Sequence, residues 1–257
     1  MGDSRRRPLG WVVPLAVIAA WQVLDDTGVV AFEFLPAPRA IGRALSDVVW
    51  SGELAGHLLH TAGITLLGAF LALATGGALG LGVGLLPRLR INVLASIDVL
   101  RTVPAVSLMP IALLALGPAP VTELLLATWA AQWAIVVNIS GGVRGIPERH
   151  YDVARMLRLT RAETLRTVVV PAVVPAAMVG MRLAVIVALH VTITAEMVMV
   201  PAGLGGAMVR AMQTLDVDRL WAYAVACGVL GAAVNSGLRR LVAAVLPGSP
   251  AHHRIVR

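Results

Sequence analysis

The stretch TAGITLLGAFLALATGGALGLGVGLL, residues 61–86, runs for 26 positions without a charged residue. A membrane-crossing helix needs roughly 20 consecutive, mostly apolar residues. This segment exceeds that length. Its small residues also repeat, with Gly68, Ala72, Gly76, Gly80 and Gly84 standing four apart. Small residues at that spacing share one helix face and let another backbone approach closely. The stripe serves either packing within one subunit or a seam between two copies.

Five more apolar runs flank it, at about 10–30, 97–117, 120–141, 171–197 and 219–246. The whole chain is 58% hydrophobic and only 14% charged, with a mean hydropathy of +0.83. A soluble domain of this length would carry about a quarter charged residues. The expected fold class is therefore an all-α polytopic membrane protein with about six transmembrane helices.

Arginine placement orients these spans, because short cytoplasmic loops collect basic residues. With the N-terminus inside, Arg5, Arg6, Arg7, Arg88, Arg90, Arg144, Arg149, Arg155, Arg158, Arg161, Arg166, Arg239, Arg240, Arg254 and Arg257 all fall inside. Only Arg39, Arg43, Arg210 and Arg219 fall outside, while Arg101 and Arg182 lie near inner span ends. The acids Asp25, Asp26, Glu33, Asp47, Glu53, Glu123, Asp216 and Asp218 then lie outside. The expected location is the inner (plasma) membrane, multi-pass, with both termini cytoplasmic. MGDSRRR at the N-terminus imitates a signal peptide, but the apolar run continues through Trp21 and Gln22 with no small-residue cleavage site. An uncleaved first span is expected.

All 21 basic residues are arginine. The phosphate-binding loop G-x-x-x-x-G-K-[ST] and Schiff-base chemistry both need a lysine, so neither occurs here. The single cysteine, Cys227, cannot form an internal disulfide. No Cys/His cluster has metal spacing, and His57 and His60 read as polar surface. Neither a metal nor another cofactor is expected, and nothing indicates nucleic-acid binding.

One long basic segment interrupts this oily chain: YDVARMLRLTRAETLRTVVVP, residues 151–171. Tyr151, Ala154 and Leu157 recur at helical spacing with Met156 nearby, while Asp152, Arg155 and Arg158 stay polar. Thr160 and Glu163 form an S/T-x-x-E capping box that opens a second short helix, leading to Pro171. Such an amphipathic element suits docking into a groove on a soluble partner. It equally suits resting on anionic lipid head groups.

The segment resembles the EAA loop of ABC importer permeases, whose pattern is E-A-A, three residues, G, nine residues, I-x-L-P. The aligned residues are Asp152, Val153, Ala154, Arg158, Val168, Val170 and Pro171, with spacing preserved. Asp152, Val153 and Arg158 depart from the pattern. A glycine at 158 would serve as the left-handed residue that ends the first helix. Arginine in that conformation costs on the order of 1 kcal/mol. FLPAPRAIGRAL, LRTVPAVSLMPIALLALG, GMRLAVIVALHVTITAEM and GLGGAMVRA extend the resemblance over nearly the whole chain. Together they resemble the permeases of the taurine, aliphatic sulfonate and nitrate import systems.

The resemblance implies a type I ABC importer permease fold, as a single domain over 1–257 with a cytoplasmic coupling loop at about 142–170. It implies a transport subunit and not an enzyme, importing a small polar, sulfonate-, taurine- or nitrate-like solute. The implied partners are a second copy of the chain, two ATP-binding-cassette ATPase subunits and an extracytoplasmic solute-binding protein. Residues Tyr151, Asp152, Val153, Ala154, Arg155, Met156, Leu157, Arg158, Leu159 and Thr160 would couple to the ATPase. Tyr151, Ala154 and Leu157 would face its groove, with Asp152 and Arg155 at the rim.

Polar residues within spans are costly and often functional. Gln132, Asn138, His190, Thr192, Thr194 and Glu196 are candidates for the pathway, as is Met109, which with Pro110 interrupts the third span. Arg101 and Arg182 could hold an anion or stabilise the inner interface. The competing classes are an ion-gradient-driven secondary transporter or channel, and a membrane enzyme. The first usually shows internal repeats or paired broken helices with mid-membrane ionisable residues, and no repeat stands out here. The second needs clustered acids, histidines or metal ligands, which the spans barely offer.

Overall fold

The computed structural model describes residues 9–28, 34–199 and 202–245. Eleven α-helices follow one another among them, and no strand forms. They are α1 (Leu9–Asp26), α2 (Pro38–Trp50), α3 (Glu53–Leu85), α4 (Pro87–Leu100), α5 (Ala105–Leu116) and α6 (Pro120–Arg144). Then come α7 (Glu148–Met156), α8 (Arg161–Thr164), α9 (Val170–Val198), α10 (Gly203–Gln213) and α11 (Val217–Val245). A π-helical turn, Leu165–Val169, joins α8 to α9. Proline opens α2, α4 and α6, where its missing N–H costs nothing.

Among the described residues, α3, α6, α11 and the run containing α9 are long and apolar enough to cross a membrane. The expected fourth, fifth and sixth spans match α6, α9 and α11 to within a few residues. The second is longer than expected, because α3 starts at Glu53 and carries the polar His57 and His60 on its first turns. The first ends at Asp26, and positions 29–30 lie outside the described residues, as do Arg5, Arg6, Arg7, Arg254 and Arg257.

The expected third span at 97–117 needs correction. It is two helices, α4 and α5, separated by a turn over Arg101–Pro104. Pro104 lacks an N–H and disfavours helical backbone at Val103, and here the backbone at Pro104 turns extended (ψ 129°), so the helix stops and a new one starts at Ala105. α5 has 12 residues, about 18 Å of helix, short of the roughly 30 Å hydrocarbon core. Gly117, at φ 76°, then turns the chain into α6.

The core is the junction of α3, α6 and α9. Ala69, Ala72, Ala127, Ala131, Ile135, Ala184 and Ala188 form its buried centre. Lipid tails are as apolar as leucine, so helices here gain from close packing. The small-residue stripe supplies it. A Cβ on Gly76 would stand 2.7 Å from the Gln132 carbonyl oxygen, and one on Gly84 would stand 2.7 Å from the Val143 Cβ. The Cβ contacts of Gly68 and Gly80 likewise fall on α6, at Ala127 and Ile139. The stripe is therefore packing within the subunit, with α3 and α6 running parallel. α9 runs antiparallel to both, with Gly180 against Ile135 and Gly142 against Ala176.

Two short helices flank this core at the end where α3 and α6 begin. α2 is amphipathic and buries Ile41, Ala44 and Val48. α10 buries Leu204, Ala207 and Ala211 against α3, α9 and α11. α7 stands at the opposite end of the bundle.

Candidate functional site

Two places gather the chemistry. The first is α7 and the turn after it. Tyr151 packs against the central core, and Ala154 is buried. Burial pushes the Tyr151 hydroxyl above the ordinary phenol value. The expectation that Tyr151 and Ala154 face outward is thus corrected, because they anchor α7 to its own bundle. The outward apolar residues are Val153, Met156 and Leu157, with Met156 at 83% exposure. Residues 153, 156 and 157 share a helix face just as 151 and 154 do. The smaller Ala154 permits the close approach inward. Asp152 and Arg155 form an ion pair on the exposed side.

Arg158 ends α7 in the left-handed region, at φ 53°. The Leu159 N–H donates to the Ala154 carbonyl at 3.0 Å, and the Arg158 N–H donates to the Arg155 carbonyl at 3.0 Å. This is the paired-bond Schellman stop that usually employs glycine. Thr160 then caps α8. Its hydroxyl accepts from the Glu163 N–H at 3.3 Å, and its own N–H donates to Glu163 Oε2 at 2.7 Å. The capping box expected from the sequence is present.

The second place is the α10 end of the core. Glu196 on α9 is 1% exposed. Its Oε1 accepts from the Thr61 hydroxyl at 2.7 Å and its Oε2 from the Gly205 N–H at 2.9 Å. The Leu204 N–H donates to Thr61 Oγ1 at 2.9 Å. The carboxylate therefore sits on the first turn of α10, where unpaired amides and the helix dipole favour negative charge. The glycines make room for it. Gly203 has φ 70°, and a Cβ there would lie 2.0 Å from Glu196 Oε1. A Cβ on Gly205 would lie 2.3 Å from the Ile193 carbonyl oxygen.

Next to it, His60 Nε2 lies 3.2 Å from Glu123 Oε2. Glu123 has no exposed side-chain surface, and His60 keeps 22%. The reading of His60 as polar surface is corrected, and Glu123, in the first turn of α6, is buried rather than exposed. His57 lies edge-on to Tyr223 and contacts Arg210 Nη2 at 3.2 Å. Glu123, like Glu196, is an acid inside an apolar run, and that is the available signal, since such acids need partners. Their partners stand far away along the chain.

The structure does not gather the pathway candidates into one site. Gln132 lines an apolar cavity of about 460 Å³ between α5 and α6, with Thr75, Thr128 and Trp129. It accepts from the Thr75 hydroxyl at 3.3 Å. Asn138 donates to the Ala134 carbonyl of its own helix at 2.8 Å, and Thr194 donates to the His190 carbonyl at 2.8 Å. His190 is exposed, Thr192 is buried, and Met109 packs fully buried among Leu126, Val191 and Ala195. Arg101 pairs with Asp98 at 3.0 Å, and Arg182 donates to Asn235 at 3.2 Å.

A lipid-length helical core, a clamp helix at one end and an exposed amphipathic helix at the other define a multi-pass membrane protein. Similarity to known proteins agrees, and the chain belongs to the family of binding-protein-dependent transport system inner membrane components, whose pattern matches residues 72–248. The SsuC protein of Bacillus subtilis, named for transport of aliphatic sulfonates, is 30% identical over 92% of this chain and 87% of its own length. The nitrate import permease NrtB of Synechococcus elongatus is 33% identical over 54% of this chain and 49% of its own. Among solved folds, an inward-facing MetNI methionine ABC transporter chain superposes with a TM-score of 0.68 at 17% identity. It covers 78% of this chain and 98% of that one. The protein is thus the membrane permease subunit of an ABC importer, with ATP hydrolysis on a separate subunit. The ion-gradient and membrane-enzyme alternatives fall with that assignment.

Proposed function

We propose that two copies of this chain form a pathway importing a small anionic solute of the sulfonate or nitrate kind. Each α7 docks into a groove of an ATP-binding-cassette ATPase subunit, and an extracytoplasmic binding protein delivers solute at the α10 end. Both termini are cytoplasmic, which puts the arginine-rich α7 end inside. The observation that carries the docking is the outward apolar face of Val153, Met156 and Leu157, held rigid by Tyr151 and Ala154 behind it. A rigid element with a few exposed apolar anchors transmits force as well as binding. The solute class is supported by the transport systems for which the relatives are named.

The test is reconstitution of the permease with its ATPase in proteoliposomes. Sulfonate- or nitrate-loaded binding protein is expected to stimulate ATP hydrolysis and uptake together. Stimulation by neither anion would remove the solute class. Unchanged ATPase co-purification with a Leu157→Asp permease would remove the docking face.

A further inference from the structure

Three metal-capable side chains converge where α3, α6 and α9 meet beside α10. A ring nitrogen of His60, one oxygen of Glu123 and one of Glu196 all lie within 4.8 Å of one another. Each comes from a different helix of the core. Both carboxylates are buried, and His60 alone reaches the surface, giving an ion an edge to enter by.

A second observation points to a missing ligand. Glu123 Oε2 contacts His60, but Oε1 has no hydrogen-bond partner although the side chain has no exposed surface. Native proteins rarely leave a buried carboxylate oxygen unpaired. One helical turn from Thr61 and Glu196, the hydroxyls of Thr65 and Thr192 are also buried without partners.

Charge and donor type select the ligand. Ionised beside a neutral imidazole, the two carboxylates would put two negative charges in the helical core, and one divalent cation would cancel them. A mixed set of imidazole nitrogen and carboxylate oxygen suits Zn²⁺ and its first-row neighbours, whereas Mg²⁺ and Ca²⁺ take oxygen ligands. Glu196 is already oriented by the Thr61 hydroxyl and the Gly205 N–H, as metal-ligating carboxylates usually are.

We propose that His60, Glu123 and Glu196 form a binding site for a Zn²⁺-class divalent cation that pins α3, α6 and α9 together at their α10 end. Bonds of about 2.0–2.2 Å draw the three ligand atoms inward. The proton held between His60 Nε2 and Glu123 Oε2 is released to solvent, the freed imidazole lone pair and carboxylate oxygen face the ion, and a water at the His60 edge fills the remaining position. The pin is structural and does not depend on which solute is carried.

The full-length chain, purified in detergent and stripped with chelator, is titrated with ZnCl₂ against a chromogenic chelator. The expected result is one Zn²⁺ per chain and a higher melting temperature with Zn²⁺ than without. Co²⁺ in place of Zn²⁺ is expected to give visible absorption bands of a nitrogen–oxygen site. His60→Gln and Glu123→Gln should each weaken binding by more than about tenfold and abolish those bands. Thr61→Ala should weaken it by about tenfold, and His57→Gln should leave it unchanged. Glu123→Gln keeps the shape of the side chain and removes a buried charge, so it preserves a folded protein to measure. Wild-type chain that binds no Zn²⁺, or a folded Glu123→Gln chain that binds it as tightly as wild type, overturns the site and leaves a hydrogen-bonded clamp.

Discussion

Replacing Gly203 with alanine tests the α10 clamp, because Gly203 has both a conformational and a steric reason to be glycine. Its φ of 70° is left-handed, and a side chain there costs roughly 1–2 kcal/mol. The added Cβ would also stand 2.0 Å from Glu196 Oε1 and 2.1 Å from its Cδ. No real Cβ tolerates that, so the carboxylate must leave. It then loses the Thr61 hydroxyl and the Gly205 N–H, two buried hydrogen bonds costing about 1–3 kcal/mol each. The total is about 3–8 kcal/mol, against a typical whole-protein stability of about 5–15 kcal/mol. At about 2–4 °C per kcal/mol, Gly203→Ala should lower the melting temperature of the detergent-purified chain by at least about 6 °C. Gly42→Ala is the control. Gly42 lies on the exposed face of α2 with nothing within 4 Å of its Cβ position, so alanine should be neutral or stabilise by up to about 1 kcal/mol. If the two variants melt together, the carboxylate does not occupy the first turn of α10 as described.

Five other substitutions probe the remaining elements. Arg158→Gly relieves the left-handed arginine but loosens the unfolded chain, so denaturant or thermal unfolding should show a change between zero and about 1 kcal/mol of stabilisation. Leu157→Asp and Met156→Asp place a charge on the outward face of α7 and should abolish co-purification of the ATPase. Arg155→Ala should cost less than about 1 kcal/mol of the same interaction, read as a small shift in ATPase affinity. Gly76→Val drives a side chain into the Gln132 backbone, whose carbonyl oxygen is 2.7 Å from the Cβ position, and should prevent recovery of a monodisperse protein by gel filtration. The purified chain alone should hydrolyse no ATP, and measurable turnover without a partner would contradict a permease that lacks a lysine-bearing phosphate loop.

The features legible in the amino-acid sequence are those set by neighbours along the chain. The capping box at Thr160 and Glu163 needs only residues three apart. The left-handed stop at Arg158 is marked by spacing too, since the EAA pattern carries its glycine at that position. The break at Pro104 is only partly within reach of the same reasoning, since proline disfavours a continuous helix but Pro110 and Pro175 stay inside theirs, and the apolar run on either side conceals it. α7 shows a different difficulty. It carries apolar residues on two faces, and periodicity alone does not say which one meets its own bundle.

Membrane residence, an all-helical fold and the positions of most spans follow from the chain itself, because lipid demands long apolar helices and tolerates little else. The subunit's family is equally legible in the chain, carried by the spacing around 151–171 together with stretches along nearly its whole length. Tertiary structure alone decided which helices share the core and what their polar residues meet. The small-residue stripe could have served two interfaces, and the register of α3 on α6 assigns it to one. His60 and Glu123 are 63 positions apart, and Thr61 and Glu196 are 135 apart. Separations of that size leave no periodic trace in sequence. The first meeting depends on the parallel packing of α3 on α6, and the second on the antiparallel return of α9 against both and on two glycines of α10 that leave space for a carboxylate.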